Sequence, residues 1–338
     1  MIEETIGRVT GGDDLTADQM FEVVNQIMDG QWKNEQIGLL LLGMRAKGET
    51  VDEVVGAARS LRKNMTKIKT THTDYVDTCG TGGDGSGTFN ISTAAAIVAA
   101  SAGVIVAKHG NRSITSKSGS SDVLQKLGVN IEASVAQVEK CLNDVGICFC
   151  YAPLMHQSMK HVAEVRRNLG VPTIFNMLGP LCNPAEAPYQ IMGVGRPELR
   201  PLMAMALQSL GIKRAVVVCG SDGLDEVTIG GESYVSLVTP EEITEHTWTP
   251  EQFGLTRADK SSLVVDGPDA SAERIREIIE GASGPSRDIV VLNAAAAIWT
   301  TDPSVDFKDC VERAGTAIDD GSAKECLARL AEVSNSAV

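Results

Sequence analysis

No stretch of this sequence approaches the ~18 consecutive apolar residues of a membrane-spanning helix. The longest candidate, Ala94 to Ala107, is short and broken by Ser101 and Gly103. The opening Met-Ile-Glu-Glu-Thr is acidic and lacks a signal-peptide pattern, so a cytoplasmic, membrane-free protein is expected. Cationic residues are scarce: 30 Lys and Arg stand against 44 Asp and Glu, a formal charge of −14. With a pI near 4.9, that balance argues against nonspecific binding to nucleic acid or anionic membranes. Eight cysteines are scattered without one Cys-x-x-Cys pair, so reduced, mostly buried thiols are expected rather than zinc ligands or disulfides. Internal repeats and low-complexity segments are absent too.

What is present is glycine, concentrated in one place. Five glycines fall between Gly80 and Gly87 in Asp77-Thr-Cys-Gly-Thr-Gly-Gly-Asp-Gly-Ser-Gly-Thr-Phe-Asn-Ile-Ser-Thr93. Glycine admits φ > 0 and close approach of the backbone to a ligand, and successive amides in such a turn form an anion nest. A helix-forming run follows from Thr93, and its first N–H groups lack intrahelical partners. The arrangement suits a phosphate or diphosphate. Two familiar phosphate motifs are excluded. Gly80-x-Gly82-x-x-Gly85 fits the dinucleotide pattern, but the place of its acidic ribose partner some 20 residues on reads Lys108-His109-Gly110. No Gly-Lys-Ser/Thr closes a Walker loop.

A second cluster follows an apolar run, Val104 to Ala107, that reads as a buried strand: Lys108-His-Gly-Asn-Arg-Ser-Ile-Thr-Ser-Lys-Ser-Gly-Ser-Ser-Asp122. A cation at a strand's carboxyl end beside a helix N-terminus is a common anion-capturing geometry in open α/β sheets.

Residues 1 to about 66 read as helices. Thr16-x-x-Gln19 and Thr50-x-x-Glu53 are capping boxes, Asn34 is a candidate cap, and Gly48 a helix stop. From Tyr75 short buried strands alternate with helices. Tyr75–Asp77, Val104–Ala107, Ile147–Tyr151, Gln190–Val194 and Ala215–Cys219 argue for a largely parallel sheet, with Ser233–Val238 as an antiparallel addition. The expected fold class is therefore α/β, and from Glu273 onward the tail reads as helical.

The two clusters together resemble the anthranilate phosphoribosyltransferase family. The resemblance extends to Met159–Leu169, to Thr173-Ile-Phe-Asn-Met-Leu-Gly-Pro-Leu-Cys-Asn-Pro184 and to Asp222-Gly-Leu-Asp-Glu226, so it covers nearly the whole chain. It implies a small all-helical domain, residues 1–68 with a return segment at about 156–184. It implies a large α/β domain of 72–155 and 185–338 with a central, mostly parallel sheet, and a homodimer through the helical domain. The implied reaction moves a 5-phosphoribosyl group from its 1-diphosphate to anthranilate with Mg2+, in tryptophan biosynthesis.

Site roles follow from the resemblance residue by residue. Donor contacts are expected from Gly80, Thr81, Gly82, Gly83, Asp84, Thr88, Asn90, Ile91, Ser92, Thr93, Lys108, Ser116 and Ser120. Asp84 can serve a ribose hydroxyl, a magnesium-bound water or simply its own turn. Ser92, Asp225 and Glu226 are the metal candidates, since Mg2+ takes one or two carboxylates with substrate phosphates and waters. Gly80, His109, Asn111, His156, Arg166 and Gly179 are expected at the acceptor, with the planar fork of Arg166 matched to its carboxylate. Lys108, Asp225 and Glu226 would act electrostatically, and no general base is expected, because the nucleophile is a neutral aromatic amine. Two rival families fit less well. A pyrimidine nucleoside phosphorylase would show Lys-x-Ser-Gly where Lys108-His-Gly-Asn stands, and a nucleic-acid-binding relative would need a basic surface.

Overall fold

The structure, a computed structural model, describes residues 2–112 and 118–337. The chain begins with four helices, α1 (Ile2–Thr10), α2 (Ala17–Met28), α3 (Asn34–Lys47) and α4 (Val51–Asn64). Both capping boxes form: Gln19 N–H donates to Thr16 Oγ1 and Glu53 N–H to Thr50 Oγ1. Asn34, expected as a cap, is instead the first residue of α3. Gln36 accepts the Lys33 N–H in the capping role, and Asn34 donates to Glu164 at 2.9 Å. Gly48 ends α3 at φ 87°, as expected.

A seven-stranded sheet follows in the order β3-β2-β1-β4-β5-β6-β7. The strands are β1 (Val76–Asp77), β2 (Val106–Gly110), β3 (Ile147–Tyr151), β4 (Tyr189–Gly193), β5 (Arg214–Gly220), β6 (Ser233–Val238) and β7 (Ile243–Trp248). β1 to β5 pair in parallel, and β6 and β7 add antiparallel ladders. Strand β7 was not expected from sequence. Its Ile-Thr-Glu-His-Thr-Trp lies at a sheet edge with three consecutive exposed residues, so it carries no apolar alternation. Helix Val135–Lys140 widens into a π-turn, Cys141–Val145, before Gly146. The C-terminal helices begin earlier than Glu273, with Gly267–Ile279, followed by Pro285–Thr301, Phe307–Asp319 and Ser322–Asn335.

Both faces of the sheet are covered, which is why its strands read as continuous apolar runs. Along β5, Val216 and Val218 join the core under α5 (Ile91–Ser101) and helix Pro285–Thr301, while Ala215, Val217 and Cys219 face the opposite core. That second core includes helix Leu199–Ser209 and runs without a break into the helical bundle. Helix Lys160–Leu169 packs on α2 and α3, and Phe175–Leu178 packs on α4. The chain therefore passes between sheet and bundle at three places. These crossings hydrogen-bond side by side: Thr66 N–H donates to Met155 O at 2.8 Å, and Ile68 N–H to Pro184 O at 3.0 Å. Among the described residues no helix is long and apolar enough to cross a membrane.

Candidate active site

The carboxyl ends of β1, β2, β4 and β5 converge on one cleft, as open parallel sheets dictate. β1 ends in Asp77 and the glycine loop, which returns into α5. Gly82, Gly83, Gly85 and Gly87 take φ of 65°, 81°, 67° and 70°, a region costly for residues with a Cβ. Asp84 Oδ1 accepts the Ser86 N–H at 3.1 Å, stabilising the turn. Asn90 caps α5 by accepting the Thr93 N–H at 3.1 Å. That amide is thereby committed to the cap. The side chains of Thr93 and Ile91 are buried at 1% exposure, so Ile91 can offer only its backbone to a ligand. Thr88 bridges to Val264, tying the loop to the C-terminal half.

Lys108 lies within β2 rather than after it, because the strand runs on to Gly110. It is buried at 3% exposure, and its ammonium donates to Thr78 O (3.2 Å), Thr78 Oγ1 (3.1 Å) and Ser92 Oγ (3.3 Å). It makes no ion pair with a carboxylate among the described residues; the three partners are neutral oxygens. A cation held this way beside a helix N-terminus is a strong anion attractor.

Asp225 and Glu226 follow β5 in a loop. Asn293, buried in helix Pro285–Thr301, pins that loop: it accepts the Val227 N–H and donates to Val227 O, both at 2.9 Å. Asp225, Glu226, Ser92, Thr78 and Gly80 border one small cavity of about 40 Å³. Asp225 also borders a 90 Å³ pocket under the glycine loop and the main cleft of about 440 Å³. Burial, and next the Asp84 carboxylate, raise Asp225 to about 7. Burial and Asp225 push Glu226 well above the usual carboxylate range, against the pull of Lys108. A crowded, all-oxygen donor set of this kind fits a hard divalent cation such as Mg2+.

Three glycines let these segments touch. A Cβ on Gly193, at the end of β4, would lie 1.5 Å from the Asp225 carbonyl oxygen. One on Gly80 would lie 2.7 Å from the Gly193 carbonyl oxygen, which itself accepts the Thr81 N–H at 2.8 Å. One on Gly195 would meet the backbone of Asp84 at 3.0 Å. Gly80 is thus required by backbone packing against β4, and it also lines the main cleft. Gly179 has nothing within 4 Å of a hypothetical Cβ and does leave space.

The main cleft is also lined by His109, Asn111, Phe175, Gly179 and Pro180, with Ser120 beside them. His109 donates from Nδ1 to Gly179 O at 3.0 Å, so its proton sits on Nδ1. Burial, and then the neighbouring His156, lower His109 to about 3. Burial lowers His156 to about 4, so both rings are neutral at pH 7. Their centroids are 5.2 Å apart, but His156 is not among the cleft-lining residues. Nor is Arg166, whose guanidinium lies 5.7 Å over the ring of Phe175, a residue that does line the cleft. Burial lowers the Arg166 pKa, and no carboxylate pairs with it among the described residues. Ser116 lies outside the described residues.

Sequence reasoning missed Gly193, Gly195, Arg196, Thr78 and Asn293. Gly193-Val-Gly-Arg196 after a strand was a readable signal. Asn293 was not readable, since nothing in an alanine-rich helix announces a contact with Val227.

Comparison with known proteins decides the family. Residues 72–324 match the glycosyl transferase family, a/b domain, and residues 3–65 its helical bundle domain. The chain is 48% identical over 329 residues to an anthranilate phosphoribosyltransferase of Rhodopirellula baltica, covering 97% of this chain and 96% of that one. The chain belongs to the anthranilate phosphoribosyltransferase family. The crystal structure of the Thermus thermophilus member superposes with a TM-score of 0.93 at 37% identity, covering 98% of this chain and 99% of that one. The Saccharomyces cerevisiae member, solved in complex with PRPP and Mg, gives 0.91 at 26% identity over 99% and 98% of the two chains. That yeast enzyme is also solved in complex with 4-fluoroanthranilate. The helical bundle joined to a mostly parallel sheet is accordingly the family fold, as expected from sequence.

Proposed function

We infer that the chain transfers the 5-phosphoribosyl group of 5-phosphoribosyl 1-diphosphate to the amine of anthranilate. The products are N-(5-phosphoribosyl)anthranilate and diphosphate, a step of tryptophan biosynthesis. The observation that carries this reading is the two-ended cleft. A positive-φ glycine loop, a buried cation and a helix N-terminus meet a carboxylate pair at one end, and neutral imidazole and open space lie at the other. The first end suits a diphosphate ester and the second an uncharged aromatic amine.

In this reading the loop amides of Gly80 to Asp84, with Thr88, Asn90, Ser92, Ser120 and Lys108, hold the donor. Asp225 and Glu226, with Ser92, would hold Mg2+, which when bound supplies charge neutralisation at the departing diphosphate. Lys108, bonded to Ser92 Oγ, stabilises the same developing charge in a site already organised for it. His109, Asn111 and Gly179 position the acceptor ring, with His156 buttressing His109. Arg166 takes the acceptor carboxylate: an unpaired guanidinium 5.7 Å over Phe175 is a short side-chain swing from the cleft. Nothing in the cleft needs to remove a proton before attack, because the amine's lone pair is free. Orientation and exclusion of water are the chain's contributions, and the hydrogen-bonded crossings between bundle and sheet suit closure over substrates.

The domain boundaries proposed are 1–68 with 156–184, and 72–155 with 185–338. Exposed Leu39 and Leu42 on α3 support a homodimer through the bundle, and a cytoplasmic location suits a substrate carrying phosphates. The test is the fluorescence of anthranilate. Its loss should require both the ribosyl donor and Mg2+ and stop in EDTA. Phosphorolysis of pyrimidine nucleosides without consumption of anthranilate would overturn the reading.

A further inference from the structure

In the main cleft His109 stands beside two residues that the proposed reaction leaves unused, Asp77 and Cys79. Asp77, Cys79 and His109 each present one ligand atom, all within 4.8 Å of one another. Asp77 ends β1 at 1% exposure, and His109 lies in β2 at 3% exposure. Two of their atoms are buried without a hydrogen-bonding partner, Asp77 Oδ2 and His109 Nε2. The other atom of each is already fixed. Asp77 Oδ1 accepts the His109 backbone N–H at 3.0 Å, and His109 Nδ1–H donates to Gly179 O. A histidine whose Nδ1–H is held by a backbone carbonyl keeps its Nε2 lone pair aimed outward, the usual support of a metal-ligating imidazole. Cys79 and His109 both line the main cleft, which is a path of entry.

We propose that Asp77, Cys79 and His109 form a binding site for a borderline-soft dication of the Zn2+ or Co2+ type, with a fourth position open to the cleft. The donor set decides the class of ion. One thiolate, one imidazole and one carboxylate match Zn2+ and Co2+, whereas Mg2+ prefers oxygen alone. Charge also balances once the ion displaces the Cys79 thiol proton to solvent, a proton that burial and Asp77 otherwise hold on the sulfur: a carboxylate, a thiolate and a neutral imidazole then offset a dication. The geometry needs a small contraction. The centre of a triangle with 4.8 Å edges is about 2.8 Å from each corner, against ~2.0–2.3 Å for bonds to Zn2+. Each ligand must move inward by roughly half an ångström or slightly more, within reach of side-chain rotation at Cys79 and Asp77. The Lys108 ammonium, held nearby on Thr78, opposes the ion and keeps the site weaker than a structural zinc centre.

The consequence rests on the acceptor assignment above. An ion at this position takes His109 out of the acceptor pocket and fills its floor, so Zn2+ inhibits competitively against anthranilate and not against the donor. The site itself is tested without turnover. EDTA-treated enzyme in excess Mg2+ is titrated with Co2+, and a near-ultraviolet thiolate-to-cobalt band is expected to saturate at one ion per chain. An oxygen-only site at Asp225 and Glu226 gives no such band. Cys79→Ser should abolish the band and weaken binding by more than about tenfold, while Cys182→Ser keeps it. X-ray absorption of the zinc-loaded wild type needs no variant and should show one sulfur near ~2.3 Å among nitrogen and oxygen ligands. Absence of the band in the wild type, its survival in Cys79→Ser, or a sulfur-free zinc shell overturns the site. A sulfur-bound ion that leaves turnover unchanged overturns the inhibitory role and, with it, the placing of the acceptor over His109.

Discussion

Replacing Gly193 by alanine should damage this protein more than any other single methyl group added to the cleft. The added Cβ would stand 1.5 Å from the Asp225 carbonyl oxygen and 2.4 Å from its carbon. Contacts under 3.0 Å are essentially never seen, so the two backbones must part by at least 1.5 Å. Neither can move freely. Gly193 is paired with Val218 of β5 and accepts the Thr81 N–H, while Asn293 pins the loop after Asp225. A misplacement of about 1 Å at a reacting group costs on the order of 100-fold in rate. Overpacking of this kind costs about 1–3 kcal/mol in stability, occasionally more. Gly80→Ala faces 2.7 Å to the Gly193 oxygen and needs only a few tenths of an ångström. Gly179→Ala faces nothing within 4 Å and should leave stability within about 0.5 kcal/mol. The expected order of loss in kcat and in melting temperature is Gly193 > Gly80 > Gly179. It is measured by steady-state fluorescence of anthranilate and by thermal denaturation. A Gly193→Ala enzyme that melts and turns over like the wild type would refute the packing argument outright.

Other outcomes follow from the same geometry. Arg166→Ala should weaken anthranilate by roughly 10- to 150-fold, from a charge-assisted contact of about 1.5–3 kcal/mol, and leave the donor nearly untouched. Lys108→Ala should do the reverse, and calorimetric titration of each variant with each substrate separates the two. Asp225 is raised to about 7 in the folded chain against 3.8 for the free group, so the metal-free fold binds more protons than the unfolded chain between these values. That contribution to stability is present at low pH and is lost as pH rises from about 4 through 7. Stabilisation by Mg2+ in a thermal melt should therefore grow from pH 5 to pH 8, and Asp225→Asn should flatten the trend. All eight cysteines are free, so a thiol reductant should leave the Mg2+-dependent activity unchanged, as assayed with and without it.

The glycine loop, the cation after it, the acidic pair and the alternation of strands with helices were legible in the chain because each is a local property. Positive φ at consecutive glycines, a capping box and a buried apolar run all depend on residues within a few positions of one another. β3 and β6 match their expected ranges, while the ends of the other four expected strands moved by one to three residues, since burial and pairing, not composition, decide where a ladder stops. β7 escaped altogether, because an edge strand with a solvent-facing row needs no apolar pattern. That helices Lys160–Leu169 and Phe175–Leu178 rejoin the bundle was expected from family resemblance and not from pattern. The cause is long-range packing of Val162, Val165 and Phe175 into a core shared with α2, α3 and α4. The contacts that position the chemistry were beyond any local reading: Gly80 on Gly193, Gly193 on Asp225, and Asn293 on Val227 join segments more than 30 residues apart. So was the meeting of Asp77, Cys79 and His109 under one cavity floor. Sequence alone determined which chemical groups this chain can bring to a phosphate. Tertiary structure decided which backbones come close enough to hold those groups together, because only the folded sheet brings the ends of β1, β2, β4 and β5 to a common edge.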